Sequence, residues 1–595
     1  MKKRVADLVA SFLVDSGVND IFTLTGGGAM FLNDGIAANP DINAICNHHE
    51  QACAMGAVGY AKYKNGLAAA MLTTGCGSTN AITGLLDAWQ DNVPVIFISG
   101  QIKRKETSRN SSTQLRQFGV QEADIISIVE PLTKYAVMVN EPEEIMYHLE
   151  KAAYMALEGR PGPVWIDIPL DVQGYSPEED DLKHFEADNS DESVVIDLDR
   201  FVQLYNEAER PIVLAGNGIR LSGSIDKFRK FVDEYNLPCS VSYLAVDYFE
   251  QDNPNYVGRL GIKGDRAGNF ALQNSDLIIC LGSRLSVCLT GFEYDLFGRN
   301  SKLVVVDIDE AEHKKNTVKI DHFIKADISD FLDQVKTKIE PKKRTDWNQK
   351  CVHWKKIWPV SQGGYDTSTV NMYEFTKVMS ELADNESIVV SDAGSSYYVT
   401  SQSYLLKRQS QRYITSGAQA DMGFTLPAAI GACIAAQKPV IGITGDGSFQ
   451  LNIQELQTIK HYAIPVKLIV WNNNGYLSIR ATQNKFFEGR RIGTDAASGV
   501  SFPEVEKISN AYGLPFIKIE NALELREKLQ RVLAMEGPVV CEVVCPENQE
   551  VIPAVSAVKN NDGSMTSKPI EDMYPFLSRD EFLAEMIVEP VKDNE

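Results

Sequence analysis

What is missing from these 595 residues narrows the field first. No stretch offers the roughly 18 uninterrupted apolar residues that a membrane-crossing helix needs, so no membrane partner is expected. Basic residues are in deficit: 58 Lys and Arg stand against 80 Asp and Glu, a net charge of −22. That shortage argues against nucleic acid as a partner, because phosphate-backbone binding takes clustered positive charge. The ten cysteines lie singly in apolar stretches and form no CxxC pair. Buried free thiols in a reducing cytoplasm account for them better than a zinc site or a disulfide framework. Repeats of short period are absent as well. The basic start, Met1-Lys2-Lys3-Arg4, leads into no continuous apolar run. Asp7 and Asp15 interrupt it, and Val5, Leu8, Val9, Phe12 and Leu13 fit one face of an amphipathic helix.

What is present reads as an ordinary globular composition, 44 % hydrophobic and 23 % charged. The length suggests about three or four domains. Short β-branched runs alternate with helical stretches in three blocks, the pattern of parallel α/β sheets. Strands are expected at Ile21–Thr25, Ala68–Thr73, Val93–Ser99 and Val164–Ile168 in the first block, and at Pro211–Ala215, Leu277–Leu281 and Leu303–Ile308 in the second. The third has Ile388–Ser391, Val440–Thr444, Val466–Trp471 and Val539–Val544. The predicted fold is therefore α/β, with three doubly wound parallel-sheet domains at 1–175, 194–340 and 367–550. A polar stretch from Gly174 to Ser193 and another from Pro341 to Asp366 read as exposed linkers. Residues 551–595 read as a tail packed on the surface or on a partner.

Chemistry gathers first at Gly445-Asp446-Gly447-Ser448, which closes the expected strand Val440–Thr444. Glycines there admit a phosphate to the backbone, and the following helix, Ile453 to Tyr462, can aim its N-terminus at the anion. Gly-Asp-Gly alone is also an ordinary turn. Asn472-Asn473 closes the next strand, so Asp446 and Asn473 fall at the carboxyl ends of neighbouring strands, where open α/β sheets bind ligands. A carboxylate and an amide oxygen are hard donors that suit Mg²⁺, which keeps phosphate oxygens in its remaining positions. An acidic protein can hold a diphosphate by such means.

The segment from Gly445 to Asn473, GDGSFQLNIQELQTIKHYAIPVKLIVWNN, resembles the diphosphate-binding motif of thiamine diphosphate (ThDP) enzymes, close to the acetolactate synthase branch. The resemblance implies that Asp446, Asn473 and the backbone carbonyl of Gly475 coordinate Mg²⁺, with Gly445, Gly447 and Ser448 beside the cofactor. It also implies that Asp392-Ala393-Gly394-Ser395-Ser396 is a second diphosphate loop, with Gly394, Ser395 and Ser396 beside the cofactor. Met422, in Met422-Gly423-Phe424-Thr425-Leu426-Pro427, takes the place of the apolar prop that bends the cofactor; the alternative is a methionine that fills the core.

The first block is similar to the pyrimidine-binding domain of the same family. Asn47-His48-His49-Glu50-Gln51-Ala52 is followed by Thr73 to Ala81, then by Asp91 to Ile96 and Ser99-Gly100-Gln101. Glu50 stands at the position of the activating glutamate, which shares a proton with ring N1′ and favours the imino tautomer that generates the C2 carbanion. His48 and His49 lack the i, i+4 spacing of a helical zinc motif and read as loop groups. Gln121 falls in a segment resembling one that carries an active-site glutamine; it either binds a substrate carbonyl or is a structural amide.

In the second block, Gly216-Asn217-Gly218 lacks the third glycine of a dinucleotide fingerprint, since Leu221 stands there. Gly282-Ser283-Arg284 and Val306-Asp307-Ile308-Asp309 resemble two FAD-contact segments of the acetolactate synthase branch, which leaves FAD open as a further cofactor. The branch's run of two aspartates and an arginine is Ser286-Val287-Cys288 here. That arginine is expected to receive the carboxylate of the second 2-oxo acid, and cysteine cannot replace it. Thr482 replaces a tryptophan associated with acceptor choice.

The resemblance covers roughly residues 1–550 and implies pyrimidine-binding, central and diphosphate-binding domains. It implies small-molecule substrates: a 2-oxo acid, pyruvate in the first instance, and a carbonyl acceptor to which the decarboxylated acyl unit is transferred. Because the family builds its site from two subunits, a homodimer or homotetramer follows. Alternatives are a keto-sugar or other neutral acceptor, simple decarboxylation or diketone hydrolysis, and a non-catalytic scaffold of the same fold.

Overall fold

The computed structural model describes residues 3–187, 195–559 and 565–591. Three six-stranded parallel sheets stand in sequence along the chain. The first contains β1 (Asp20–Thr23), β2 (Asn43–Cys46), β3 (Ala68–Leu72), β4 (Val95–Gln101), β5 (Tyr135–Met138) and β6 (Val164–Pro169). The second contains β7 (Pro211–Ala215), β8 (Cys239–Val241), β9 (Tyr256–Arg259), β10 (Leu277–Leu281), β11 (Lys302–Asp307) and β12 (His322–Lys325). The third contains β13 (Ile388–Ser391), β14 (Arg412–Thr415), β15 (Val440–Gly445), β16 (Val466–Asn472), β17 (Phe516–Ile519) and β18 (Val539–Val544). Strands such as Leu277–Leu281 are buried along their whole length. They carry apolar side chains on both faces because helices cover both.

The orders are β2-β1-β3-β4-β6-β5, β12-β11-β10-β7-β8-β9 and β14-β13-β15-β16-β18-β17. Each has a switch point, at β1/β3, β7/β10 and β13/β15, and the loops beyond those strand ends form the crevices where such sheets bind ligands. The seven strands that the sequence pattern did not announce, β2, β5, β8, β9, β12, β14 and β17, have only three or four residues each. All but β8 are edge strands, which give too short an apolar run to register as a pattern.

Small residues dock the first domain on the third. The helix Glu50–Lys64 packs on the helix Thr425–Ala436. A Cβ at Gly431 would fall 1.9 Å from the Gly56 carbonyl oxygen, and one at Gly59 would fall 2.4 Å from that of Ala428. The backbones touch, so an alanine at either glycine would force the domains apart.

Two expectations need correction. The segment Pro341–Asp366 is no exposed linker, because the helix Thr345–Ile357 buries Trp347, Cys351 and Trp354 in the core of the central domain. Arg344, within that same stretch, is buried and donates to the Tyr205 carbonyl at 2.8 Å. Of the ten cysteines, all free, Cys46, Cys76 and Cys288 reach the surface. The other expected linker, from Gly174 to Ser193, extends outside the described residues beyond 187. The tail lies on its own chain: Glu571 accepts from Gln273 Nε2 at 2.8 Å, and Glu585 accepts from Trp354 Nε1 at 2.8 Å. Among the described residues, no helix is long and apolar enough to cross a membrane.

Candidate active site

The loops that follow β13 and β15 meet on one carboxylate. Asp392, fully buried, accepts from Ala393 N–H (2.7 Å), Ser396 Oγ (2.6 Å), Thr444 Oγ1 (2.8 Å) and Ser448 Oγ. Burial pushes its pKa up, and these donors oppose that shift. Ser448 Oγ also accepts from the Gly423 N–H at 2.7 Å, which ties the Met422 loop into the same cluster. The hydroxyls of Ser396 and Ser448 are therefore spent inside the protein. What remains for an anion is backbone N–H, including the first turn of the ten-residue helix Gly394–Ser403. Ser395 is buried in that turn.

Asp446 begins the short helix that follows β15 and is 3 % exposed. Its carboxylate accepts from Gly447 N–H at 2.8 Å and Gly475 N–H at 3.0 Å. Burial nonetheless raises its pKa to about 6. Asn473, 3 % exposed, has its Oδ1 buried without a hydrogen-bond partner. A buried carboxylate and an unpartnered amide oxygen are costly in isolation and satisfied by a hard cation. The Gly475 carbonyl accepts from Leu477 N–H at 3.1 Å and has a second lone pair free. Gly475 itself cannot be replaced without strain: its φ is +149°, and a Cβ would lie 2.1 Å from the Thr494 carbonyl oxygen.

The expected helix Ile453–Tyr462 spans Glu455–Tyr462. The turn after β15 is the four-residue helix Asp446–Phe449, and the longer helix starts at Glu455. The Glu455 carboxylate is directed at the first domain, accepting from Asn47 Nδ2 at 2.8 Å and His48 N–H at 2.9 Å. Met422 is only half-buried and belongs to none of the apolar core clusters, so it is not a core filler.

Glu50 opens the helix Glu50–Lys64 and is 7 % exposed. Its Oε2 accepts from Asn80 Nδ2 at 2.9 Å, while Oε1 lies beside Gly77. His49 caps the same helix through Nδ1, which accepts from Gln51 N–H at 3.0 Å. Among the described residues, no set of three or more His, Cys, Asp or Glu side chains could hold a metal. Gln121 is exposed, with φ +59° and its backbone carbonyl packed on Gly75. Hydrogen bonds thus join Ser396, Ser448 and the Gly423 N–H of the Met422 loop in one cluster with Asp392, and join Gly447 and Gly475 to Asp446, while Gly394, Ser395, Gly445 and Asn473 lie at or just beyond the ends of β13, β15 and β16. Glu50 and Gln121 stand in the first domain, and no hydrogen bond among the described residues joins Glu50 to that set. Asp392 and Asn80 lie inside the motifs Asp392–Ser396 and Thr73–Ala81, but the motifs assign neither a role. Asp392 directly follows β13, which pairs with β15.

A second crevice lies beyond β7 and β10. Its empty volume is about 1120 Å³, and its walls include Gly218, Ser283, Arg284, Cys288, Asp307 and Gly417. Arg284 and Cys288 are both exposed.

Three family models match the chain. They are the thiamine pyrophosphate enzyme N-terminal TPP binding domain over residues 3–128, the central domain over 198–335 and the C-terminal TPP binding domain over 392–543. The chain is 32 % identical over 563 residues to the acetolactate synthase large subunit of Lactococcus lactis subsp. lactis (strain IL1403), covering 94 % of this chain and 95 % of that protein. It is 30 % identical over 575 residues to acetolactate synthase 1, chloroplastic, of Zea mays, covering 93 % and 87 %. With the acetolactate synthase large subunit of Cyanidium caldarium it shares 29 % over 579 residues, covering 94 % and 96 %.

Proposed function

The chain belongs to the thiamine pyrophosphate enzymes, and on that premise we propose an acetolactate synthase-like carboligase that transfers a decarboxylated acyl unit from a 2-oxo acid, pyruvate first, to a carbonyl acceptor. The observation that carries the reading is the unpartnered, buried Asn473 Oδ1 two residues before Gly475, whose N–H is held by the buried Asp446 carboxylate. These oxygens and the Gly475 carbonyl fit Mg²⁺, and the cation would bridge them to a diphosphate. When bound, ThDP supplies the nucleophile and the electron sink for decarboxylation.

The chain's own residues bind and orient. Backbone N–H groups in the first turn of the helix Gly394–Ser403 would hold the diphosphate, braced from behind by Asp392. Met422, half-buried, props the cofactor. Glu50 has one oxygen engaged by Asn80, which leaves Oε1 to hold a proton and pass it to ring N1′. Gln121 hydrogen-bonds a substrate carbonyl. As the family resemblance implies, a second copy of the chain completes each site, and the assembly is a homodimer or homotetramer. The free cysteines fit a cytoplasmic location.

The acceptor differs from that of an acetolactate synthase. Cys288 stands where a carboxylate-binding arginine is expected, and Thr482 is a small hydroxyl on an exposed helical turn whose Oγ1 donates to the Ser478 carbonyl at 3.0 Å. A neutral aldehyde or ketone, such as a keto-sugar, suits these residues better than a second 2-oxo acid. Incubating pyruvate with a panel of acceptors and identifying the products tests this; rapid acetolactate formation from pyruvate alone would overturn it.

The central crevice is lined by Ser283 and Arg284, which would hold the phosphates of a flavin dinucleotide. Flavin bands in the absorption spectrum of the purified protein would support FAD, and their absence after FAD supplementation would exclude it.

A further inference from the structure

We propose that Arg480 is a positioning residue for the cation-binding turn Asn473–Gly475, a proposal that rests on reading Asp446, Asn473 and Gly475 as the cation ligands. Arg480 lies on the helix Leu477–Phe486 and is 2 % exposed. A guanidinium so buried is normally paired with a carboxylate. Here the nearest is Asp495 at 4.0 Å, and that carboxylate is engaged by Arg491 at 2.8 Å. Arg480 spends its N–H groups on main-chain carbonyls instead: NH2 donates to Asn473 O at 2.9 Å and to Glu547 O, and NH1 donates to Asn474 O at 3.3 Å. Its Nε–H has no partner.

The geometry of a planar trans peptide explains what this achieves. The carbonyl and N–H of one peptide point in opposite directions, so fixing one fixes the other. The Asn474–Gly475 peptide has its carbonyl on Arg480 and its N–H on Asp446, 3.0 Å from Oδ2. The Asn473–Asn474 peptide has its carbonyl on Arg480 and its N–H on Asn472 Oδ1 at 3.0 Å. Arg480 therefore grips the back of the turn while Asp446 grips the front. Asn473 itself lies between the Asn473–Asn474 peptide and the Asn472–Asn473 peptide, whose carbonyl accepts from Cys545 N–H at 2.8 Å, and its side chain keeps Oδ1 free for a cation. A positive charge beside a cation site works against metal affinity by Coulomb repulsion. Its presence makes sense if turn geometry outweighs that repulsion, as with other groups that orient metal ligands from behind.

The test is Mg²⁺ titration of the full chain with ThDP present, followed by calorimetry and by the Mg²⁺-dependent rise in melting temperature. Arg480→Met should weaken Mg²⁺ binding by about tenfold or more. Turnover at saturating Mg²⁺ should recover much of its wild-type value, and Arg480→Lys should fall between the two. Folded Arg480→Met with Mg²⁺ affinity within about twofold of wild type would overturn the proposal. If Arg480→Met does not fold, Arg480→Lys is read in the same way, and wild-type affinity in it is equally fatal. Asp446→Asn separates the two layers. If it too leaves Mg²⁺ binding intact, the ligand assignment itself fails; if it alone abolishes binding, only the role of Arg480 does.

Discussion

The first and third sheets run their strands in the same order, so the crevice beyond β1 and β3 is the topological counterpart of the one beyond β13 and β15. The loops that fill them differ in kind. In the third domain they concentrate buried oxygen: Asp392 with four donors, Asp446 with two, and Asn473 with a free Oδ1. In the first domain they are Leu24-Thr25-Gly26-Gly27-Gly28 and Thr73 to Asn80, small residues without a carboxylate. The one acid there, Glu50, comes from the helix after β2. One topology thus serves two tasks, anchoring in the third domain and proton handling in the first.

If that division is right, the two halves fail differently. The largest effect is expected from Asp446→Asn, which should abolish both ThDP-dependent turnover and Mg²⁺-dependent ThDP binding in calorimetry. Glu50→Gln should lower turnover by about 10²–10⁴-fold while ThDP affinity stays within a few-fold of wild type. Equal loss of ThDP binding in both variants would erase the distinction. Unchanged turnover in Glu50→Gln would remove Glu50 from the mechanism, because an amide cannot share that proton.

Asp392→Asn should act between these extremes. An amide has one acceptor oxygen and presents N–H₂ to hydroxyls that now donate to a carboxylate, so the loops after β13 and β15 lose their common brace. ThDP affinity should weaken by about tenfold, with kcat at saturating cofactor little changed. A variant that melts earlier yet binds ThDP normally would reduce Asp392 to a structural group of the third domain.

These contrasts also explain what was legible in the sequence. Gly445 to Ser448 and Asn473 stood out because metal and phosphate chemistry needs particular residue types at strand ends, and that requirement is local. The central strands of each sheet announced themselves because both of their faces are buried. Asp392, Asn80 and Arg480 did not, because their importance lies in partners 52, 30 and 7 residues away. The same limit applies to the helix Thr345–Ile357, whose two buried tryptophans sit among Lys and Asn in a segment that reads as polar. The direction of Glu455, onto Asn47, depends on domain docking through Gly56 and Gly431. No one-dimensional pattern contains it.

The smallest expected effect compares two buried carboxylates. Asp392 has four donors, whereas Asp167 in β6 has two: Ser99 Oγ at 2.6 Å and Gln101 Nε2 at 3.1 Å. Burial raises the Asp167 pKa to about 7, from 3.8 in an unfolded chain, with the two donors opposing the shift. The folded state therefore holds this proton more tightly than the unfolded state does. The stability it contributes is complete below about pH 4 and is lost as pH rises through 7, levelling off above. Asn cannot ionise, so Asp167→Asn should flatten that part of the profile. Asp87, also raised by burial to about 7, is present in both proteins and cancels in the comparison. Melting temperatures between pH 5.5 and 8.5 should fall further for the wild type than for the variant, by on the order of 3 °C. Parallel profiles would mean that the two donors around Asp167 offset its burial and that the folded state does not hold this proton.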